Sequence, residues 1–460
     1  MDKPSPQIGL DWRWLLLLLV IILSACADTD NPLITTVSPT AGMPGTQVTL
    51  TGTRLDVSGK DSIVRFNGVQ ATLVSATDIQ IVTTVPAGAT TGYITVTTKD
   101  GTGTAPVVFT IPRLLGGAMQ GVFLNLSGVV QALAGTAGSS GSTDGTGSAA
   151  LFSNPTGATT DGTYVYLADT GNSTIRRLTI GTNVVTTLAG SAGQTGVANG
   201  AGTDARFNGP TGLTTDGSFL YICDTGNSAI RRLNLTTPYQ VDTLAGLALN
   251  PGYLDGSGTS ARFRNPQGIT YDGTYLYVAD TGNNAIRRLK ASGQDVITLA
   301  GQTSGLPGYA DGYFPFVAFN TPTGLTTDGT FLYICDTANQ LIRWLQLSGN
   351  ANGYPVGTLA GTAGVAGSTD AVGTAARFNG PQEVTTDGSW LYVSDTGNDT
   401  VRTVTIGSGQ VATLAGSAGN PGSVDGTGSV ARFKALTGIT SGGAQLFVAD
   451  SGNELIRQVR

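Results

Sequence analysis

The chain has 460 residues, 67 of them glycine, with 24 basic and 30 acidic side chains and a net charge of −6. An acidic chain without a basic run argues against nucleic acid and anionic lipid surfaces as partners. There is no histidine, which excludes Ser-His-Asp and Cys-His triads and removes the usual zinc ligand. Glutamate is reduced to Glu383 and Glu454.

The first element is a targeting segment. Lys3 and Arg13 precede the apolar run Leu15 to Leu23, too short to span a bilayer but suited to a signal-peptide core. It ends in Leu23-Ser24-Ala25-Cys26, which resembles the lipobox of bacterial lipoproteins. That resemblance implies cleavage of residues 1–25, acylation of Cys26 and anchoring by two or three chains, which hold far better than one. The alternative is an uncleaved anchor helix. Cleavage would remove two charges of each sign and leave −6. The implied location is an exported, lipid-anchored protein of the cell envelope, at the outer membrane in a Gram-negative host.

Residues 33–111 read as a separate β-sandwich, in which Thr, Val and Ile alternate between turn residues. The stretches Ile34 to Pro39, Gly45 to Gly52, Val64 to Val69, Val85-Pro86 and Tyr93 to Val96 resemble the IPT/TIG immunoglobulin-like domain. In that family such domains serve as spacers or binding modules. Residues 112–128 are taken as a linker; within it Val122 to Leu126 could compete as a strand with the chain end, Leu455 to Arg460.

Residues 129–460 are a repeat array. Asp-Thr-Gly-Asn and close variants start at Asp169, Asp224, Asp280, Asp336, Asp395 and Asp450, spaced 55 to 59 residues apart. Leu-Ala-Gly recurs at Leu133, Leu188, Leu244, Leu299, Leu359 and Leu414. A period this long, with four short strands per unit, predicts propeller blades that bury their faces only by closing around an axis. In the second unit the strands are 211–215 (A), 219–223 (B), 229–235 (C) and 241–244 (D). The first Leu-Ala-Gly belongs to a D strand with no unit before it, and the last unit stops after its C strand. Pairing Val129 to Leu133 with the last unit therefore closes the ring. The overall expectation is an all-β chain: an Ig-like sandwich followed by a six-bladed propeller. The turn Asn154-Pro155-Thr156-Gly157, the run Leu276 to Asn283 and Ile286-Arg287 resemble the NHL-repeat propellers, with departures at Leu436 and Ala338.

The repeated polar residues admit two readings. The six tetrad aspartates form a ring for a metal or substrate, or they hold their own turns with the Arg seven residues on: Arg176, Arg231, Arg287, Arg343, Arg402 and Arg457. The second is adopted, so no metal, cofactor or catalytic residue is expected. Cys223 and Cys335, at one phase of blades 2 and 4, read as small buried side chains. The long D–A loops carry Asp144, Asn199, Asp255, Asp311, Asp370 and Asp425, with Asp144 suited to cap a short helical turn, and each ends in a core Phe.

One loop breaks the symmetry. Tyr309, Tyr313, Phe314, Pro315 and Phe316 replace small residues and form a partner-contact patch that Tyr253 could extend, or else pack against neighbouring loops. The expected function is a non-catalytic binding scaffold for a protein or glycan on the loop-bearing face. The competing reading is a Ca2+-dependent lactonase- or lyase-like enzyme at the axis. It would need a non-repeating cluster of Asp, Asn or Glu on inner strands, and only repeat-phased ones are read from the sequence.

Overall fold

A computed structural model describes residues 31–460 apart from 43–44, 57–61, 87–88, 112, 116–117, 121–123 and 352. The expected signal segment and Cys26 lie outside the described residues. The chain divides into two units, 1–112 and 113–460. No α-helix occurs among the described residues, and none is long and apolar enough to cross a membrane.

In the first unit one sheet orders Leu33–Ser38, Gln47–Thr53, Gln80–Thr84 and Leu73–Ala76. The other orders Val69–Gln70, Ile63–Phe66, Gly92–Thr98 and Gly101–Phe109. Alternation puts Val48, Leu50, Val64, Phe66, Ile81, Ile94, Val96 and Phe109 into one core. Phe66 and Phe109 meet edge-on at 5.0 Å.

The second unit is six antiparallel blades in a closed ring. The innermost A strands are Pro155–Thr160, Pro210–Thr215, Gly268–Tyr271, Pro322–Thr327, Pro381–Thr386 and Ile439–Ser441, and each lies beside the next around the axis. Blade 2 continues with Phe219–Asp224 (B), Ala229–Asn234 (C) and Gln240–Ala245 (D). The B strands are apolar because both their faces are covered by neighbouring blades, and the core of each interface mixes residues of two successive units. In blades 1, 2 and 6 a two-residue strand from the D–A loop (Gly145–Thr146, Gly200–Ala201 and Gly426–Thr427) pairs outside strand D and covers the edge.

Closure follows the expected scheme. Val129–Ala134 takes the D position of blade 6, pairing with Leu455–Val459, which fills the C position. The competitor loses: Leu124 to Ser127 form no strand. Arg113–Leu115 pairs instead with Ala118–Gln120, and the latter strand lies beside the inner strands of blades 1, 5 and 6.

Two side chains join each blade to the next. The tetrad Thr, or Ser451 in blade 6, donates to the carbonyl that opens the following A strand, as Thr225 does to Pro266 at 2.7 Å; the six bonds span 2.5–2.7 Å. The residue after each tetrad has φ of 50–62°. It is Ser173, Ser228, Asn284, Gln340, Asp399 or Glu454, and its side-chain oxygen accepts an amide of the next blade at 2.5–3.3 Å. This left-handed position favours glycine on backbone grounds, yet carries an acceptor every time. Ala338, in place of the tetrad glycine, is accommodated by a slight retreat: its amide lies 3.1 Å from Asn320 O, against 2.8–2.9 Å where glycine stands.

Candidate functional site

The tetrad aspartates sit at the B–C turn, fully buried. In blade 3, Asp280 Oδ1 accepts the Arg264 amide at 2.7 Å. Its Oδ2 accepts Asn283 at 2.8 Å and Arg287 Nη1 at 2.7 Å. The Arg–Asp distance is 2.6–2.9 Å in all six blades. Burial pushes the carboxyls of Asp280, Asp395 and Asp450 up to about 6, while the paired Arg, the Asn and the amide pull them down. They are ionised at neutral pH and face protein rather than an open axis.

Each Arg also ties down a loop. Nη2 reaches Asp144, Asn199, Asp255, Asp311, Asp370 or Asp425 at 2.5–2.9 Å. The guanidinium lies 5.1–5.3 Å from the ring of the buried loop Phe: Phe152, Phe207, Phe263, Phe319, Phe378 or Phe433. A planar fork is what lets one side chain hold the B–C turn and the D–A loop together. The expected cap at Asp144 is corrected: the turn Gly147–Ala149 has no side-chain cap. Asp144 instead accepts Arg176 and the amide and hydroxyl of Thr187 on strand D, because an ionised partner competes better for the carboxylate than a neutral turn amide. Cys223 and Cys335 are free and buried, and burial raises both thiols well above the usual range.

Two places depart from the repeat. The first is the blade 4 loop. Tyr313 accepts a hydrogen bond from Asn350 at 3.3 Å, and Tyr309 lies 5.5 Å over Arg343 while half-exposed. Phe316 is 79% exposed. Phe314 and Tyr253 line one crevice with Leu254, Asp255, Thr298 and Thr303. The patch thus spans the loops of blades 3 and 4 and is neither wholly packed nor wholly open.

The second lies on the axis and was not read as a site from the sequence. At the third residue counted from the Pro (Leu436 in blade 6) that opens each inner segment, five blades carry Gly157, Gly212, Gly268, Gly324 and Gly438. A Cβ there would take the place of the carbonyl of the next blade's second residue, so the strands approach only as glycine. Blade 5 has Glu383 at this phase. Its Oε1 fills the space over Gly324 and accepts the Val384 amide at 3.3 Å. Burial pushes its carboxyl up to about 8, against the pull of the Val384 and Leu325 amides, with no basic partner among the described residues. At the second residue Thr156, Thr211, Thr323 and Thr437 are joined by Gln267 and Gln382. All of these face one axial cavity of about 70 Å³. The sequence reading that inner-strand acids are all repeat-phased is corrected here: Glu383 breaks the phase, and the signal was visible as the one unit whose Asn-Gly-Pro turn is followed by Gln-Glu rather than Thr-Gly or Gln-Gly. Among the described residues no group of three His, Cys, Asp or Glu side chains could hold a metal ion.

The fold and these surfaces define a two-domain all-β protein, an Ig-like module followed by a six-bladed propeller. Residues 32–111 match the IPT/TIG domain family. The propeller is similar to NHL repeat-containing protein 2 of Homo sapiens, 31% identical over 268 residues, 52% of this chain and 36% of that protein. It is also similar to the chloroplastic protein SUPPRESSOR OF QUENCHING 1 of Arabidopsis thaliana, 30% identical over 288 residues, 59% of this chain and 26% of that one. The chain therefore spans about a third or less of the length of these relatives. Among solved structures, a protein of unknown function from Bacteroides thetaiotaomicron shares the fold with a TM-score of 0.60 at 18% identity, covering 94% of this chain and 98% of that one. An auxiliary nutrient binding protein from the same organism gives 0.53 at 17%, with the same coverage.

Proposed function

We propose that this is an exported, lipid-anchored envelope protein whose propeller is a non-catalytic scaffold for a protein or glycan ligand. The observation that carries the reading is the aromatic crevice of blades 3 and 4, where Tyr253, Tyr309, Phe314 and Phe316 depart from the small residues of the other loops. Aromatic side chains on loops held rigidly from below are what contact surfaces use. Here the rigidity comes from Arg287 and Arg343, each of which grips the base of one of these two loops. Anchoring rests on the lipobox-like stretch ending at Cys26.

The enzyme alternative has less support. Hydrolysis by paired carboxyl groups needs two acids flanking a substrate, and the axial cavity is lined by one. Its other polar groups are carboxamides and hydroxyls, which suit recognition.

The test is capture from detergent-solubilised envelope, with a glycan array in parallel. A ligand retained by the native chain is expected to be lost with Tyr313→Ala and Phe316→Ala while the melting temperature stays unchanged. Equal recovery with both variants would eliminate the aromatic surface. Detergent-phase partitioning that survives Cys26→Ala would eliminate the anchor.

A further inference from the structure

We propose that the axial pocket binds the hydroxyl-bearing end of a neutral polyol or sugar, held by the Glu383 carboxyl and the Gln267 and Gln382 carboxamides. Three observations converge on this site, which is separate from the aromatic crevice.

First, these three residues depart from the commonest pattern of the ring, and the departures share one cavity. The ordinary occupants have a structural job: Thr211, Thr323 and Thr437 donate to the carbonyls of Gln267, Gln382 and Thr156 in the next blade, at 2.9, 2.6 and 3.0 Å. The carboxamides of Gln267 and Gln382 make no such bond to another described residue. Glu383 places a carboxyl where the ring's geometry calls for glycine, and among the described residues the groups that donate to it are two main-chain amides. All three are half-buried, so their polar groups are open to water or to a ligand rather than to protein partners.

Second, the lining sets the charge of that something. Among the described residues no Lys or Arg borders the cavity, and the first Arg of every C strand is committed to its Asp, so these residues offer an anion no counter-charge. A divalent cation would find one carboxyl. Two carboxamides and a protonated carboxyl each offer both a donor and an acceptor. Hydroxyl groups do the same, and vicinal hydroxyls match such a set group for group.

Third, the room is about 70 Å³, some two water volumes at roughly 30 Å³ each. A ligand enters end-on, with one edge inside. Among the described residues no aromatic ring lines the cavity, so affinity falls in the ~mM range that a few hydrogen bonds support.

The experiment is saturation-transfer NMR on the full chain with myo-inositol and methyl α-glucoside, and with methylammonium and acetate as charged probes, at pH 6 and pH 9. At least one polyol is expected to saturate at pH 6. Its dissociation constant should rise at least 10-fold with Gln267→Ala, Gln382→Ala or Glu383→Ala, and stay within about 3-fold with Glu383→Gln, which keeps a donor and an acceptor. The pH 9 measurement should weaken binding to the native chain and leave Glu383→Gln unaffected. Should Glu383→Ala fail to fold, the two glutamine variants carry the comparison. Methylammonium binding that tightens at pH 9, polyol binding indifferent to all of these substitutions, or no saturable polyol binding would each overturn the proposal.

Discussion

The Tyr392 hydroxyl donates to Oδ2 of Asp387 at 2.9 Å, and Oδ1 of the same aspartate accepts the amides of Ser389 and Trp390. The A–B hairpin of blade 5 is thus held by one carboxylate with a tyrosine from strand B as its lid. The pair recurs as Tyr166–Asp161, Tyr221–Asp216, Tyr277–Asp272 and Tyr333–Asp328 at 2.6–2.8 Å. In blade 6 both partners change together, to Phe447 and Gly442. A buried hydroxyl without its acceptor is unfavourable, so loss of the acid removes the reason for the hydroxyl.

A double-mutant cycle follows from that pairing. Tyr392→Phe alone is expected to cost ~1–2 kcal/mol by urea unfolding, since it takes one of two donors from a buried carboxylate oxygen and leaves the Leu124 amide at 3.1 Å. In the Asp387→Gly background the same change should cost under about 0.5 kcal/mol, which is the arrangement of blade 6. Strict additivity of the two would show that the bond contributes nothing.

The loop-gripping arginines predict an asymmetric series. Arg287→Met strands Asp280 in the interior and is expected to cost ~3–5 kcal/mol. Arg287→Lys should recover little, because a point charge cannot reach Asp280 and Asp255 at once. Limited proteolysis should find the blade 3 loop around Asp255 cut faster in both variants. Native stability and native cleavage rates for Arg287→Lys would contradict the forked role.

Glu383 gives the pH dependence a direction. Its folded pKa, about 8, lies above the unfolded value near 4.5, so between these the native state keeps a proton that the unfolded chain has released. Stability is therefore full below pH 4.5 as far as this group is concerned and falls as pH rises toward 8, by at most ~1.4 kcal/mol per unit. The tetrad carboxyls raised to about 6 act in the same sense, but their effect is complete near that value. The window from pH 6 to 8 belongs to Glu383. Glu383→Gln is expected to flatten the unfolding free energy across that window, and an unchanged slope would remove the carboxyl as its cause.

Much of this architecture was legible because it repeats. Six phased tetrads gave the blade count, and the orphan D strand before the first unit gave the closure, since a strand without a sheet has to find one. The Arg seven residues after each Asp was likewise a spacing that strand geometry brings together across one hairpin. The acceptors after each tetrad were not legible, because Ser173, Asn284 and Glu454 share a backbone conformation and a lone pair rather than a residue type. Glu383 was missed for the opposite reason. A consensus averages over blades, and the axial departures are single residues whose proximity to Gln267 exists only once the ring closes.

The joints between blades also bear on how such a ring can arise. At each of them the upstream unit supplies a side chain, and the downstream unit supplies only main-chain atoms, a carbonyl for the tetrad hydroxyl and an amide for the acceptor. Any unit that ends correctly can therefore be followed by any unit that begins with the same turn. Copying a segment in tandem thus renews these two bonds without matched side-chain changes, which leaves the apolar packing between units as the part that must match, and individual copies can depart from the pattern, as the fifth does with Glu383 at its hub.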